Sequence, residues 1–388
     1  MVEVLKGIRV VEQGTFITGP CAAMLLADLG ADVIKIESPE GGDPYRTFKD
    51  GHYSAHFQAY NHAKRSLCLD LKKAEDRTLF HGLVGSADVY IQNFRPGVAG
   101  RIGAGWDDLS AVNPKLVYCS ISGFGPDGPY SRRPSYDSVT QALSGFLSVA
   151  IDPANPRLLG PALADAITGL YAALGILGAL VERGRTGTGR LLEISMLEAM
   201  MHFAIEPFAG YFALGEVPTG MDRPRLAQAM ILTCGDGKHV AVHMSSLEKF
   251  WDALVAGIGG QALTQDPRFA TRLARIDHYP QLVAALNAIF ATRPRAEWVA
   301  LLSDTDLPFA PVNSIADTAA DPQVEHLKML VPVAKRIEGA KGGADRLVRS
   351  PFAYGGARDD AVVAAPLLGQ HSADIRAALA DNPDAWPD

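Results

Sequence analysis

A chain of 388 residues is long enough for about two domains, and with 48% hydrophobic and 20% charged residues it has the balance of an ordinary soluble globular protein. A net charge of −7 argues against a nucleic-acid binder and leaves room only for local basic patches facing a phosphorylated ligand. The four cysteines, Cys21, Cys68, Cys119 and Cys234, are scattered, with no CxxC and no paired histidine. That spacing gives neither a disulfide framework nor a metal site, and it fits a reducing cytoplasm.

The opening MVEVLKGIRV has no basic stretch followed by an apolar core, so no signal peptide is expected and the cytoplasm is the expected location. GIRVVEQ is a β-branched run ending at Gly14 and predicts a first buried strand. TGP at 18–20 makes a turn, CAAMLLADL at 21–29 a helix stopped by Gly30, and ADVIKIE at 31–37 the next strand. That is one βαβ unit. A second follows, with SLCLDL at 66–71, a helix over 74–84 and ADVYIQN at 87–93. Residues 106–112 are helical and LVYCSISGFG at 116–125 is another strand. Strands alternating with helices indicate an α/β core with a mostly parallel sheet.

The turn after the first strand reads EQGTFITGP and lacks the GxGxxG fingerprint, which argues against an NAD-dependent dehydrogenase. Basic residues recur instead at later strand ends. Lys64 and Arg65 precede SLCLDL, Lys72 and Lys73 follow it, and Arg95 and Arg101 follow ADVYIQN. Strand ends of open α/β sheets are where ligands bind, and these cations suit phosphate oxygens.

Within residues 160–201 a single carboxylate, Asp165, stands directly ahead of an uncharged run from Ala166 to Val181, which Glu182 and Arg183 close. Leu170, Leu174, Leu177 and Val181 fall on a helical stripe, while Gly169, Ala172, Ala173, Gly175, Gly178 and Ala179 keep the other faces thin enough for close packing. The run is too short and too rich in small residues for a membrane span, and it reads as a buried helix. Asp165 stands where that helix begins. It is either an N-cap or a reactive carboxylate at the positive end of the helix.

After residue 205 the composition changes. FAGYFALGEVPTGMDRPRLAQ has no steady period and reads as a linker over 205–228. ILTCGDGKHVAVHM predicts a hairpin turning at GDG, and helices are expected over 247–258, 278–291 and 295–303, together a small α+β domain over 229–320. The last sixty residues show short strands and turns but no long amphipathic helix. They are expected to return over 321–388 and complete, from about 330, the large domain of 1–204.

With these motifs in place, the chain resembles the family III CoA-transferases, the superfamily of formyl-CoA transferase, carnitine CoA-transferase and α-methylacyl-CoA racemase. The resemblance covers nearly the whole chain. It rests on LKGIRVVE, GPCAAMLLADLGADVIKIESPEGGD, NHAKRSLCLDLK, DVYIQNFRPG with RIG, YCSISGFGPDGPY, the Asp165 helix with RGRTGTGR, and APLLGQH. It implies a Rossmann-like large domain with a parallel sheet, a smaller α+β domain, and an intertwined homodimer that the long linkers near 205–228 and 320–345 would permit.

The resemblance also implies chemistry. Asp165 matches the catalytic aspartate, which attacks an acyl-CoA and carries CoA as an aspartyl thioester until a carboxylic acid accepts it, so that one hard exchange is split into easier steps. Backbone N–H groups nearby are the candidate oxyanion donors. Phe16, Leu69, Lys72, Asn93, Phe94 and Arg101 match CoA contacts, and Ile17 and Tyr136 face the acyl group. The formyl-CoA enzyme has glutamine where Ile17 stands, so Ile17 implies a less polar acyl pocket. Ser38 and Pro134 replace basic residues of that enzyme, so its full set of CoA contacts does not transfer. No permanently bound cofactor, metal, nucleic acid or membrane is implied. The CoA thioester enters as a substrate, and the carboxylic acid is the second one.

Racemisation at C2 of a 2-methylacyl-CoA is the rival within the family. The racemases use a histidine in a GHD motif together with the aspartate, and here Tyr136 occupies the histidine position. A phenol, ordinarily ionising near pH ~10, is a poor base at neutrality. A non-catalytic CoA-binding protein is the alternative from another class. His52, His56, His62, His202 and His371 lack the spacing of a metal motif and read as structural or surface residues.

Overall fold

A computed structural model of the chain describes residues 3–49, 51, 53–158, 160–245, 248–335, 343–382 and 385–387. His52 and Leu247, the first residue of one expected helix, lie outside the described residues. The chain forms two compact units. One comprises Met1–Leu147, Leu158–Glu206 and Pro322–Asp388, the other Ser148–Arg157 and Pro207–Asp321.

In the first unit, strands β1 (Arg9–Gln13), β2 (Asp32–Glu37), β3 (Arg65–Cys68), β4 (Val89–Gln92), β5 (Val117–Ser122) and β6 (Arg190–Ser195) make a wholly parallel sheet in the order β3-β2-β1-β4-β5-β6. Val10, Val33, Val89 and Val117 point into one face, and Val11, Ile34, Tyr90 and Tyr118 into the other. Both faces are covered, so the strands are apolar on both sides, interrupted by the buried pair Glu12 and Lys35. The connections carry α1 (Thr18–Asp28), α2 (Ala55–Asn61), α3 (Ala74–Gly85), α4 (Val98–Arg101), α5 (Trp106–Val112), α6 (Asp137–Leu143), α7 (Phe146–Ala150), α8 (Leu163–Thr186) and α9 (Met196–Phe203). Strand order reverses between β1 and β4. That reversal opens a crevice at the strand ends, the Rossmann-like ligand position.

The long helix departs from the sequence reading. At 24 residues α8 is, among the described residues, the one helix long and apolar enough to cross a membrane by length and composition. Its inward face is the thin one. Gly169, Ala172, Ala173, Ile176 and Ala179 are buried, with Ala172, Ile176 and Ala179 in one core with Ala22, Ala23 and Leu26 of α1. A Cβ on Gly169 would stand 2.6 Å from Cys21 Cβ, so glycine is what lets the two helices meet. The small residues meet a neighbour as expected, while most of the leucine stripe points outward, with Leu170 54%, Leu174 64% and Val181 69% exposed and Leu177 packed against the core.

The rest of this unit comes from the chain end. Strands β10 (Leu330–Ala334) and β11 (Arg346–Val348) pair antiparallel, and β12 (Val362–Val363) joins β10 in parallel. A C-terminal helix, Ser372–Asp381, adds Ile375 and Leu379 to the core around Leu67 and Phe80.

In the second unit the hairpin forms as β7 (Ala229–Thr233) and β8 (His239–His243), and β9 (Phe309–Pro311) extends it antiparallel. Helices Glu248–Ile258, Tyr279–Phe290 and Arg295–Ser303 pack on it through Trp251, Leu254, Leu282, Leu286, Phe290 and Trp298. The stretch read as an irregular linker is largely helical, at Ile205–Leu214 and Asp222–Ala227.

Candidate active site

The crevice is floored by the loop Gly14–Ile17 that joins β1 to α1. Lacking the glycine fingerprint, this loop is shaped by side chains. Phe16 sits in the left-handed region at φ +59, a conformation that needs outside support in a bulky residue. Its N–H donates to Asp43 Oδ1 at 3.0 Å. Gly14 N–H donates to Glu12 Oε1 at 2.8 Å, and Gly14 O accepts from Lys35 Nζ at 2.8 Å. Behind these contacts lies a buried charge cluster. Lys35 reaches Glu12 at 2.9 Å and Asp43 at 3.0 Å, and Lys64 reaches Glu12 at 3.0 Å.

Protein carboxylates correct the phosphate reading of two cations, one in this cluster and one outside it. Lys64 is buried and bonded to Glu12, Pro20 O and Asn61, and Arg65 is paired with Asp32. Asn93 is likewise engaged with the protein. Its Oδ1 accepts from Thr15 N–H at 2.9 Å, and its Nδ2 donates to Thr15 O at 2.8 Å and to Thr18 Oγ1 at 2.9 Å. Asn93 therefore shapes the loop from the β4 side. His62, on Asp28 at 2.8 Å, and His371, accepting from Ser66 N–H, are structural residues.

Two adjoining cavities open on the loop. One, about 500 Å³, is lined by Leu69, Lys72, Lys73, Ser38 and Phe94; the other, about 340 Å³, by Phe16, Ile17, Asn93, Phe94, Arg95, Arg133, Tyr136 and Asp165. Thr15, Phe94 and Val98 line both, so they form one cleft across the switch point. Of the CoA and acyl contacts expected from the sequence, only Arg101 is off this lining, at the end of α4.

Asp165 lies in the first turn of α8 but does not cap it. The cap is Asp137, from the start of α6, whose Oδ1 accepts from Ala164 N–H at 2.7 Å and Asp165 N–H at 3.3 Å while Oδ2 accepts from Gln141 at 2.6 Å. Among the described residues, the Asp165 carboxylate accepts no hydrogen bond. Burial, then the like charge of Asp137, push its ionisation up to about 7. The helix N-terminus pulls the other way, by about 0.3–1 kcal/mol, and is outweighed.

The burial has identifiable sources. Ile17, Cys21 and Tyr45 form an apolar cluster with Phe16, Met24 and Tyr60. Phe16 is the hub, 5.7 Å from the Tyr45 ring and 5.9 Å from the Tyr136 ring. The charge of Asp165 acts on Tyr45, Tyr60 and Cys21, all raised chiefly by their own burial, Tyr60 to about 12 and Cys21 to about 11. Sequence reading passed over Tyr45, Tyr60 and Asp137. The one signal that could have found the last of these is an acidic residue directly ahead of the run SVTQAL, where a helix start favours it.

The arrangement is an unbonded carboxylate of raised basicity, in a cleft running from a lysine-lined groove to an aromatic pocket. Comparison with known proteins gives this cleft a context. The chain is 33% identical to the succinate–glutarate CoA-transferase of Agrobacterium fabrum, over 97% of this chain and 95% of that protein. It is 34% identical to the acetyl-CoA:oxalate CoA-transferase of Acetobacter aceti, over 84% and 85%. The crystal structure of a CAIB/BAIF family protein from Brucella suis matches 98% of this chain and 100% of its own with a TM-score of 0.86 and 34% identity. The model of CoA-transferase family III matches residues 5–372. The chain belongs to CoA-transferase family III, whose members are enzymes that act on CoA thioesters.

Proposed function

We propose that the protein moves CoA reversibly from an acyl-CoA to a carboxylic acid with Asp165 as the covalent carrier. The observation that carries this reading is the Asp165 carboxylate itself, desolvated, without a hydrogen bond among the described residues and set in the cleft. A carboxylate more basic than an ordinary aspartate is the better nucleophile once ionised.

An Asp165 oxygen attacks the thioester carbonyl, the C–S bond breaks, and CoA thiolate leaves behind an acyl-aspartyl anhydride. The thiolate attacks the aspartyl carbonyl, expelling the donor as its free carboxylate and leaving aspartyl-CoA. The acceptor carboxylate attacks that thioester and expels thiolate to give a new anhydride. Thiolate then takes the acceptor acyl group and restores Asp165. Lys72 and Lys73 supply cations for CoA phosphates, and Phe16, Ile17 and Tyr136 surround the acyl group. The two relatives named above take dicarboxylic acids by name, and an acceptor of that class is proposed here.

Intact-protein mass spectrometry after mixing with a panel of acyl-CoAs, with hydroxylamine as trap, tests the carrier role. A CoA or acyl adduct on wild type, absent from Asp165→Ala, is expected. No adduct with any thioester, together with solvent deuterium entering C2 of a 2-methylacyl-CoA, would establish racemisation instead. A homodimer is proposed on the outward stripe of α8 together with exposed Val139 and Leu143 of α6 and Met201 and Phe203 of α9. Light scattering showing only monomer would refute it.

A further inference from the structure

The cavity that holds Asp165 also carries cations that the exchange reaction does not use. Arg95 leaves the end of β4 and Arg133 lies in the loop after β5, the neighbouring strand, so both stand at the same edge of the sheet. Among the described residues neither guanidinium has a carboxylate partner. Arg133 is stacked over the Tyr130 ring at 3.8 Å, which fixes its plane, and among the described residues its guanidinium N–H groups have no hydrogen-bond partner.

A second observation is independent of charge. Ser135 lines the same cavity, and its buried Oγ has no hydrogen-bond partner among the described residues. Other hydroxyls nearby are engaged, Ser131 donating to Gly128 O and Ser122 accepting from Gly125 N–H. A buried hydroxyl is rarely left unpaired, and a ligand oxygen is one partner that would complete it. Gly123 makes room for this loop, since a Cβ there would stand 2.4 Å from Ser135 Cβ.

Resting on the proposed function, we infer that Arg133 and Ser135, aided by Arg95, form an anion subsite for the distal carboxylate of a short dicarboxylic acid. A free guanidinium edge beside a hydroxyl suits a carboxylate. The phosphates of CoA have separate cations in Lys72 and Lys73, which line the other cavity, while Arg133, Ser135 and Asp165 do not. The cavity of about 340 Å³ is at the small end of ligand sites and so fits a short acid. Asp137 repels any second carboxylate brought to this end, and counter-cations are what let a dianion enter. The apolar tendency of Ile17 then concerns the carbon chain between the two carboxyl groups.

The test is the rate at which the CoA adduct forms on wild type, Arg133→Gln and Ser135→Ala from succinyl-CoA and from butyryl-CoA, thioesters of equal length. Calorimetric binding of succinate and butyrate is measured alongside. Wild type is expected to prefer the dicarboxylic probe in both. Arg133→Gln should lower the succinyl-CoA rate and the succinate affinity about 10- to 100-fold, while the butyryl-CoA rate changes less than about threefold. Ser135→Ala should show the same selective loss on a smaller scale.

Equal losses for both thioesters would mean that Arg133 reads the CoA portion, and that result overturns the subsite. So does an unchanged preference. Absence of any adduct on wild type would sink the carrier role of Asp165 instead. In that case the succinate and butyrate affinities still decide the subsite.

Discussion

Asp165→Asn removes the ionisable oxygen and keeps the shape, so it isolates what charging this carboxyl costs the fold. An aspartate ordinarily ionises near ~3.9 and Asp165 near 7, held up by burial and by Asp137. At about 1.4 kcal/mol for each tenfold change in the ionisation constant, the charged native state carries a penalty of about 4 kcal/mol before screening. The cavity opens to solvent, which screens the charge, so about 2–4 kcal/mol is the range to expect.

The sign follows from proton binding. Between about pH 4 and 7 the unfolded chain has released this proton and the native chain has not, so the contribution of Asp165 to wild-type stability falls across that window. Urea unfolding of both proteins at pH 4 and pH 8 is the assay. The Asp165→Asn substitution should leave stability nearly unchanged at pH 4 and raise it by about 2–4 kcal/mol at pH 8, with adduct formation abolished. A variant no more stable than wild type at pH 8 would refute the claim that the site stores this cost.

Asp137→Asn removes the like charge, so the acid limb of the kcat/KM profile should move to lower pH, and loss of the charged cap should cost about 1 kcal/mol in unfolding measurements. Lys35→Met leaves Glu12 and Asp43 buried without their shared cation and should destabilise by about 3–5 kcal/mol by urea titration, against near-neutrality if the cluster were solvated. Gly169→Ala places a methyl 2.6 Å from Cys21 Cβ one turn beyond Asp165. It should cost about 1–3 kcal/mol and lower kcat, which steady-state kinetics and thermal unfolding would show together.

The sheet was legible because its strands alternate with helices and bury both faces, so GIRVVEQ, ADVIKIE and ADVYIQN stand out as apolar runs. Close packing on the thin face of α8 was legible from its small residues, and α1 does approach there at Gly169. The outward direction of the stripe was not, because periodicity shows that Leu170, Leu174 and Val181 share a side but not which way that side faces. Asp165 was found at its helix start, yet its cap comes from Asp137 in a separate helix, a pairing that spacing does not reveal. Lys64 and Arg65 looked like phosphate ligands by their place before a strand. Their partners, Glu12 and Asp32, are distant in sequence and meet them only through the parallel register. Arg133 and Ser135 sit in a polar loop with no motif of their own, and what distinguishes them is a stacked guanidinium and an unpaired buried hydroxyl.

The central claim is that CoA passes through the carboxyl group of Asp165. An acceptor acid with both carboxylate oxygens replaced by the heavy isotope, incubated with enzyme and an acyl-CoA, tests this directly. In the proposed sequence the acceptor's attacking oxygen becomes the anhydride bridge and stays with Asp165 when thiolate removes the acyl group. Mass spectrometry of the peptide containing Asp165 should find heavy oxygen in that carboxyl group after turnover. Turnover with no label at Asp165 would mean that CoA moves directly between the acids, and the covalent account would be wrong.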